Sequence, residues 1–272
     1  MATPRAIQTA DGARLEYEVL GDGPPVVFLH GLLASRFVFS RQREAFAARH
    51  RLILVSFRGH DGSEANMPAD YGVCGSDVTD VLAVLDAEGI ARAHILAHSS
   101  GGATGFSLVR HHPDRIDRAV IIEPTLLSLL NPAERARIIP AYREIVRVAR
   151  DEGPEAGLAI ALDFLSNGAW ARLDADAQAR RLKLMAPSAA IVERHVQGLI
   201  DVAVTAADIR ALARPVRFYY GADSFPFEAE IAAAIRTARP DLPVRTLERC
   251  GHNVHRDRPD ILNEEVLAFF AQ

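Results

Sequence analysis

Apolar residues follow two different periods along this 272-residue chain. In the first half, short apolar runs such as PVVFLH, RLILVSF and AHILAH alternate with segments in which an apolar residue recurs every three to four positions. The short runs are typical of buried strands, and the longer segments are typical of amphipathic helices. We predict further strands in RLEYEV and RAVIIE, and helices at about 37–49, 76–88 and in GGATGFSLVRHH. This alternation predicts a mainly parallel β-sheet with helices on both faces.

The strand signal disappears in the middle of the chain. From about 124 to 214 the apolar residues keep a helical period, as in AYREIVRVARDEG, LAIALDFLSNGAW and AIVERHVQGLIDVAV. The alternation then returns with PVRFYYG, a helix near 227–239, the strand PVRTLE and a last helix at about 259–270. We therefore predict an α/β core formed by residues 1–124 and 214–272, with a helical cap inserted at 125–213. Acidic and basic residues are mixed through the cap, which argues against a highly charged ligand.

Charge and composition exclude several classes of protein. The formal net charge of −4 gives no basic surface for nucleic acid or an anionic membrane. Cys74 and Cys250 lie too far apart in sequence to suggest a disulfide or a metal motif. No apolar run has the length of a signal peptide core or of a membrane span. We expect a cytoplasmic protein without a membrane span whose partner is a small-molecule substrate, and a homodimer remains open.

The stretch Ala97-His98-Ser99-Ser100-Gly101 lies between a predicted strand and a predicted helix. A serine with small residues two positions before and after it fits a nucleophile elbow, a strained turn that exposes the hydroxyl. In this interpretation Ser99 is the nucleophile, and Ser100 supplies a backbone N–H to an oxyanion. The alternative is an ordinary turn with a serine that caps the helix.

A serine nucleophile needs a base, and His252 is the strongest candidate among the 10 histidines. It lies in RCGHNVH, a loop after the last predicted strand, at the sheet edge where α/β proteins place their sites. His255 is the competing candidate, and we expect His50 and His94 on the surface or in loops. His98, beside the nucleophile, is interpreted as a spacer.

The predicted strand VVFLH ends in His30-Gly31, where a glycine allows backbone amides to approach a ligand closely. The N–H group of Leu32 is therefore a candidate for the second oxyanion donor, opposite that of Ser100. Alone, the dipeptide fits equally well with a simple turn from strand to helix.

These segments together resemble the α/β-hydrolase superfamily, in particular its compact, cap-bearing esterase-like and lipase-like members. The matching segments, in the order of the family, are FLHGLLAS, SFRGHDGSE, LAHSSGG, VRFYYGADS and CGHNVHRDRPD. The resemblance covers nearly all of the chain outside the cap, and it implies Ser99 and His252 as a catalytic pair. The loop SFRGHDGS departs from the family pattern, with Asp61 in place of a glycine; because aspartate tolerates a left-handed backbone, we interpret this departure as structural.

The acid that orients the histidine has two candidates. The family commonly places it three residues past the glycine that ends the penultimate strand, but here that position is Ser224, and Asp223 is one residue early. Some family members supply the acid from the end of the strand after the elbow helix, where this chain has Glu123. Glu123 follows a strongly apolar run, where an unpaired carboxylate is costly, so we prefer it and keep Asp223 as the alternative.

The expected activity is ester hydrolysis through a covalent acyl-enzyme, most plainly that of a carboxylesterase. No dinucleotide or phosphate fingerprint and no metal-ligand spacing is present, so we expect neither a cofactor nor a metal. A cofactor-free haloperoxidase and a carbon–carbon bond hydrolase are alternatives on the same scaffold. A receptor for a small ligand that kept the fold without turnover is the alternative from another class.

Overall fold

The strands of the computed structural model, which describes residues 3–166, 168 and 170–272, form an eight-stranded sheet. Across the sheet their order is β1-β2-β4-β3-β5-β6-β7-β8, and all neighbours are parallel except the pairs β1/β2 and β2/β4. The strands are β1 (Arg5–Gln8), β2 (Arg14–Leu20), β3 (Pro25–Leu29), β4 (Arg51–Val55), β5 (Ala93–His98), β6 (Ile116–Ile122), β7 (Val216–Gly221) and β8 (Val244–Leu247). The predicted mainly parallel sheet is confirmed. The sequence patterns missed β1, because its residues RAIQ are mostly exposed and form no apolar run.

The helices, in chain order, are α1 (Arg43–Ala47), α2 (Ser76–Ala87), α3 (Ser100–His111), α4 (Pro132–Asp151), α5 (Pro154–Leu165), α6 (Ala175–Leu184), α7 (Ala186–Ala189), α8 (Val192–Asp201), α9 (Ala206–Arg210), α10 (Pro226–Ala238), α11 (Val254–Asp257) and α12 (Pro259–Phe270). The single helix predicted at 37–49 is wrong. A 3₁₀ turn at Arg36–Phe39 and the separate short helix α1 occupy this part of the chain. Among the described residues, no helix combines the length and apolar composition that crossing a membrane requires.

The central strands supply two hydrophobic cores, one on each face of the sheet. Successive strand side chains point to opposite faces, so Val27 and Leu29 join one core while Val26 and Phe28 join the other. The Phe28 ring packs edge-on against two other phenylalanine rings, with centroids 5.0 Å away in each case. Helices α2, α3 and α10 cover the first core, and α1 and α12 cover the second.

Between β6 and β7 the described residues form helices and 3₁₀ turns and no strand. Asn167 and Ala169, which belong to the stretch predicted as helical, lie outside the described residues. Apolar side chains of α4, α5 and α8 join the same core as α3, and they include Ile138, Tyr142, Leu158 and Val196. This helical segment therefore continues the hydrophobic core that lies on one face of the sheet.

Two histidines that the sequence predicted on the surface or in loops are both buried: His50 lies in the loop before β4, as the second alternative allows, and His94 lies in β5. His50 and His94 pack beside Phe270, and the His94 ring stacks on the Phe270 ring with a centroid distance of 4.5 Å. Burial is the main cause that lowers the pKa of His94 to about 4. An uncharged imidazole is a flat, largely apolar ring, and this explains its place in the second core.

Helix α3 begins in very close contact with the neighbouring backbone. A methyl group on Gly101 would lie 2.3 Å from the carbonyl oxygen of His30, and one on Gly102 would lie 2.9 Å from the α-carbon of Pro124. Real atoms do not approach so closely, so a side chain at either position would push the helix away from the sheet. The glycines that follow Ser99 therefore set how deeply this turn is seated.

We predict that Gly101→Ala lowers the free energy of unfolding by about 1–3 kcal/mol, the usual cost of overpacking a tight site. Gly72→Ala is the matched control, because a methyl group there would have no neighbour within 4 Å; we expect it to change stability by less than about 0.5 kcal/mol. Urea denaturation of the two variants measures the difference. Equal stability of both variants would contradict the close approach.

Candidate active site

Ser99 occupies the turn between β5 and α3 in a strained backbone conformation. Its φ of +57° and ψ of −121° are unusual for a residue with a side chain. Two hydrogen bonds hold the turn: Ser99 N–H donates to the oxygen of Ile122 at 2.9 Å, and Thr125 N–H donates to the oxygen of Ser99 at 3.1 Å. Gly31 leaves room for the side chain, since a methyl group on it would lie 2.9 Å from Ser99 Cβ. This is the strand–turn–helix geometry expected of a nucleophile elbow.

His252 and Glu123 are brought together although 129 positions separate them. Nδ1–H of His252 donates to Oε2 of Glu123 at 2.5 Å. The carboxylate is fully buried, and it also accepts hydrogen bonds from Gly221 N–H at 2.7 Å and from the Ser224 hydroxyl at 2.5 Å. Because Nδ1 carries the proton that Glu123 accepts, a neutral imidazole in this position has Nε2 free of a proton, which is the form a general base requires.

The structure separates the two candidate acids. Asp223 lies on the exposed side of the loop after β7, and among the described residues its carboxylate accepts no hydrogen bond. The next residue, Ser224, points inward and donates to Glu123. The position that commonly carries the acid in this family thus holds a hydroxyl that supports a carboxylate from another strand.

Ser99 and His252 line the same cavity, but no hydrogen bond joins Ser99 Oγ to the imidazole within the described part of the chain. The hydroxyl lies 3.5 Å from Thr125 Oγ1 instead. In proteins without substrate, hydrogen bonds between a nucleophile and its base are often long and shorten only when substrate binds. The two side chains therefore share one site without a preformed contact.

The two expected oxyanion donors flank Ser99. Ser100 is the first residue of α3, where backbone N–H groups lack a partner within the helix. Leu32 follows Gly31 in the loop after β3 and lines the cavity together with Ser99. Within the described residues, neither of these N–H groups donates to a protein acceptor. Both are thus available to an oxygen atom placed beside Ser99.

The remaining histidines near the site have other surroundings. His98 is buried, and its Nε2–H donates to the carbonyl oxygen of His252 at 3.0 Å, so it holds the loop that carries the candidate base. Sequence analysis, which interpreted His98 as a spacer, missed this contact. His255 is fully buried, and burial is the main cause that lowers its pKa to about 3. Its buried position separates it from the cavity that Ser99 lines.

Sequence analysis also missed Glu228, a second buried carboxylate in the first turn of α10. Its Oε1 lies 4.0 Å from Nδ1 of His252, and neither of its oxygens has a hydrogen-bond partner among the described residues. Burial, followed by the charge of Glu123, raises the pKa of Glu228 well above its ordinary range. Glu228 is thus a buried carboxyl group whose neutral form is favoured, and it lies beside Glu123. The F-P-F-E stretch gave no signal, because an acidic residue in the first turn of a helix is ordinarily exposed.

Glu123, Glu228 and His252 are also the group most suited to hold a cation. One ligand atom from each lies within 4.8 Å of the other two. However, His252 Nδ1 and Glu123 Oε2 already share a proton in a hydrogen bond, which a metal ion would have to displace. The arrangement fits a histidine–carboxylate pair better than a metal centre.

Ser99 lies between two spaces of different character. A small apolar recess lies beneath the helical segment, and its lining includes Tyr142, Ala161, Phe164, Val196 and Leu199. On the other side is an open cavity of about 1110 Å³, which His252 also lines. Both spaces have walls from the core and from helices between β6 and β7.

The chain belongs to the alpha/beta hydrolase fold family, whose model matches residues 24–259. This range includes strands β3 to β8 and every residue of the site described above. Membership confirms the fold class expected from the sequence and identifies the chain as a hydrolase of this fold.

Several known proteins are similar over nearly their whole length. "Putative carbamate hydrolase RutD" of Caulobacter sp. (strain K31) is 26% identical over 280 residues, which cover 97% of this chain and 97% of that protein. The sn-1-specific diacylglycerol lipase ABHD11 of Mus musculus is 24% identical over 282 residues, covering 94% of this chain and 85% of that protein. The crystal structure of a hydrolase from Pseudomonas aeruginosa PA01 superposes with a TM-score of 0.81 at 24% identity, over 99% of both chains, and has the same fold.

We predict that Glu228→Gln stabilises the protein at neutral and alkaline pH. Because the pKa of Glu228 is raised in the folded state, folding binds a proton at pH values between about 4.3, the ordinary value for an unfolded glutamate, and the raised folded-state pKa. Stability therefore falls as pH rises from there towards the folded-state pKa. Glutamine has the same shape and no proton to bind, so it avoids this loss.

Thermal unfolding at pH 4, 6 and 8 tests the prediction, with exposed Glu264→Gln as the control. The melting temperature of Glu228→Gln should exceed that of the original protein by a margin that grows with pH, whereas the control shows no such trend. A Glu228→Gln protein that is less stable at all three pH values would show that Glu228 is ionised.

Proposed function

We propose that this protein is a serine hydrolase that cleaves an ester-type bond in a small or medium, partly apolar molecule. The observation that carries the proposal is the buried Glu123–His252 hydrogen bond at the edge of a cavity that the strained Ser99 also lines. This combination supplies a nucleophile, a base of fixed tautomer and an orienting acid. The names of two relatives, a carbamate hydrolase and a diacylglycerol lipase, support hydrolysis at a carbonyl carbon.

In the proposed reaction, Ser99 Oγ attacks the carbonyl carbon of the substrate while His252 Nε2 removes the hydroxyl proton. Glu123 remains ionised, holds Nδ1–H and stabilises the imidazolium that forms. The N–H groups of Leu32 and Ser100 donate to the oxyanion of the tetrahedral intermediate. His252 then gives its proton to the departing alcohol oxygen, and the acyl group stays on Ser99.

A water molecule completes the proposed cycle. His252 Nε2 removes a proton from this water, and the resulting hydroxide attacks the acyl carbon. Collapse of the second tetrahedral intermediate releases the carboxylic acid and returns the proton to Ser99 Oγ. Each proton moves through His252, and the cycle requires no cofactor.

We further propose that residues 125–213 act as a cap on this site. Side chains from α4, α5 and α8 form most of the small recess beside Ser99, and side chains from α5 to α7 line the open cavity. The recess, at about 10 Å³, has room for about one water molecule, so the open cavity of about 1110 Å³ must hold the acyl and alcohol groups. The substrate therefore lies in the open cavity beside Ser99, under the helices that line it.

We predict that Ser99→Ala lowers kcat for 4-nitrophenyl butanoate hydrolysis by about 10⁴-fold or more, because it removes the nucleophile. Ser100→Ala should retain most activity, since its hydroxyl has no hydrogen-bond partner among the described residues and alanine keeps the backbone N–H. Labelling by a fluorophosphonate probe should be lost only in the Ser99 variant. An unlabelled original protein that binds a small ligand without turnover would favour the receptor alternative.

We predict that Glu123→Gln and Asp223→Asn differ strongly in their effects. Glutamine at position 123 disrupts the hydrogen bond that fixes the tautomer of His252, and in serine hydrolases such a change reduces kcat by about 10⁴-fold. Asp223→Asn alters an exposed side chain without a described hydrogen bond and should leave kcat close to that of the original protein. Steady-state kinetics on one ester measures both. A large loss confined to the Asp223 variant would overturn the assignment of Glu123.

A further inference from the structure

Three arginine side chains line the open cavity that Ser99 and His252 share. Arg256 lies in α11, four positions after His252, and Arg180 and Arg181 lie in α6 of the helical segment. The positive charges therefore come both from the core and from the proposed cap. All three side chains are exposed to the solvent of the cavity.

No acidic side chain among the described residues forms an ion pair with these arginines. Within the described part of the chain, Arg180, Arg181 and Arg256 form no ion pair and donate no side-chain hydrogen bond, whereas most other arginines do. The single carboxylate among the described lining residues is that of Asp61. It is already engaged, 3.0 Å from Nη1 of Arg36 and accepting from the Ser56 hydroxyl at 2.6 Å. The cavity thus carries unbalanced positive charge in a protein whose net charge is −4.

The same cavity is also lined by large apolar side chains that are unusually exposed to solvent. Phe37, Leu173 and Leu184 are 45%, 40% and 82% exposed, and all three line the cavity. Single exposed apolar residues are common on protein surfaces. Three of them around one cavity, together with three unpaired arginines, suit a ligand that is apolar along part of its length and anionic at another part.

We propose that the natural substrate carries an anionic group on an apolar chain, and that Arg180, Arg181 and Arg256 bind this group away from the scissile bond. The inference rests on the proposed serine hydrolase function and adds the substrate class. Guanidinium groups donate two parallel hydrogen bonds to a carboxylate or a phosphate, which gives orientation as well as attraction. The mixed charges along the cap argued against a highly charged ligand, but of the charged cap residues that the structure describes only Arg180 and Arg181 line the cavity.

A matched pair of esters tests the proposal. One is 4-nitrophenyl octanoate, and the other is the mono-4-nitrophenyl ester of octanedioic acid, which has the same chain length and a terminal carboxylate. The ratio of kcat/KM for the anionic ester to that for the neutral ester should fall about tenfold in the triple variant R180Q/R181Q/R256Q, a change of about 1.4 kcal/mol. Arg210→Gln, an exposed arginine outside the cavity, is the control and should leave the ratio unchanged.

The effects of salt and of competing anions test whether the preference for the anionic ester is electrostatic. Because the arginines are solvent-exposed, raising the ionic strength should lower the ratio in the original protein and have little effect in the triple variant. Acetate and inorganic phosphate are added separately at equal ionic strength. The anion that selectively inhibits hydrolysis of the anionic ester shows whether the arginines prefer a carboxylate or a phosphate. A ratio that is the same in the original protein and the triple variant overturns the proposal.

Binding to Ser99→Ala protein separates this proposal from the reaction itself. By calorimetry, monomethyl octanedioate should bind more tightly than methyl octanoate, and the triple variant in this background should lose the difference. If the original protein hydrolyses no ester but this difference is present, the proposed reaction is wrong and the anion site stands. If esters are hydrolysed and both ligands bind equally, the anion site is wrong and the reaction stands.

Discussion

The site depends on the burial of one carboxylate, that of Glu123. It lies at the carboxyl end of β6 with no exposure to solvent, so water cannot compensate its charge. A buried charge is tolerated only when protein groups supply the missing hydrogen bonds, and removing one partner of such a pair typically costs about 3–5 kcal/mol. Here the partners are Gly221 N–H, the Ser224 hydroxyl and His252 Nδ1–H. The end of β6, the end of β7 and the loop after β8 must therefore converge on one point.

Glu228 shows how the protein limits the charge at that point. One carboxyl oxygen of Glu228 lies within 4.8 Å of one of Glu123. Two ionised carboxylates at this distance would repel strongly in a buried environment, which disfavours a charge on both. Glu123 has three hydrogen-bond donors, whereas Glu228 has none among the described residues. The hydrogen bonds therefore stabilise the charged form of Glu123, whereas burial raises the pKa of Glu228 and favours its neutral form. In the proposed mechanism one carboxylate stabilises the imidazolium, and Glu123 is the carboxylate in direct contact with Nδ1 of His252.

The sequence predicted those features whose signal is local or whose order along the chain is fixed. Ser99 follows a fully buried apolar strand and His252 follows the last predicted strand, and the carboxyl ends of parallel strands meet at one edge of a sheet. The candidate acid was harder to predict, because the choice between Glu123 and Asp223 depends on which side chain points into the site. In the loop after β7 it is Ser224, next to Asp223, that points inward. The buried positions of Glu228, His50 and His94 follow from tertiary packing, which the residues beside them in the sequence do not indicate. The same holds for the arginines, since mixed charges along α6 do not reveal which side chains line the cavity.

Residues 123–125 connect the chemistry of the site to the segment above it. Glu123 binds His252, Pro124 lies against Gly102 at the start of α3, and the backbone of Thr125 donates to Ser99. Glu123 itself has a φ of +43°, which turns the chain sharply as it leaves β6. These three residues are thus fixed by contacts to the core, whereas the helical segment after them contributes the walls of the recess and of the cavity. Helices of the segment can therefore change the shape and charge of the pocket while Ser99, His252 and Glu123 keep their geometry, because the chain is anchored before the segment begins.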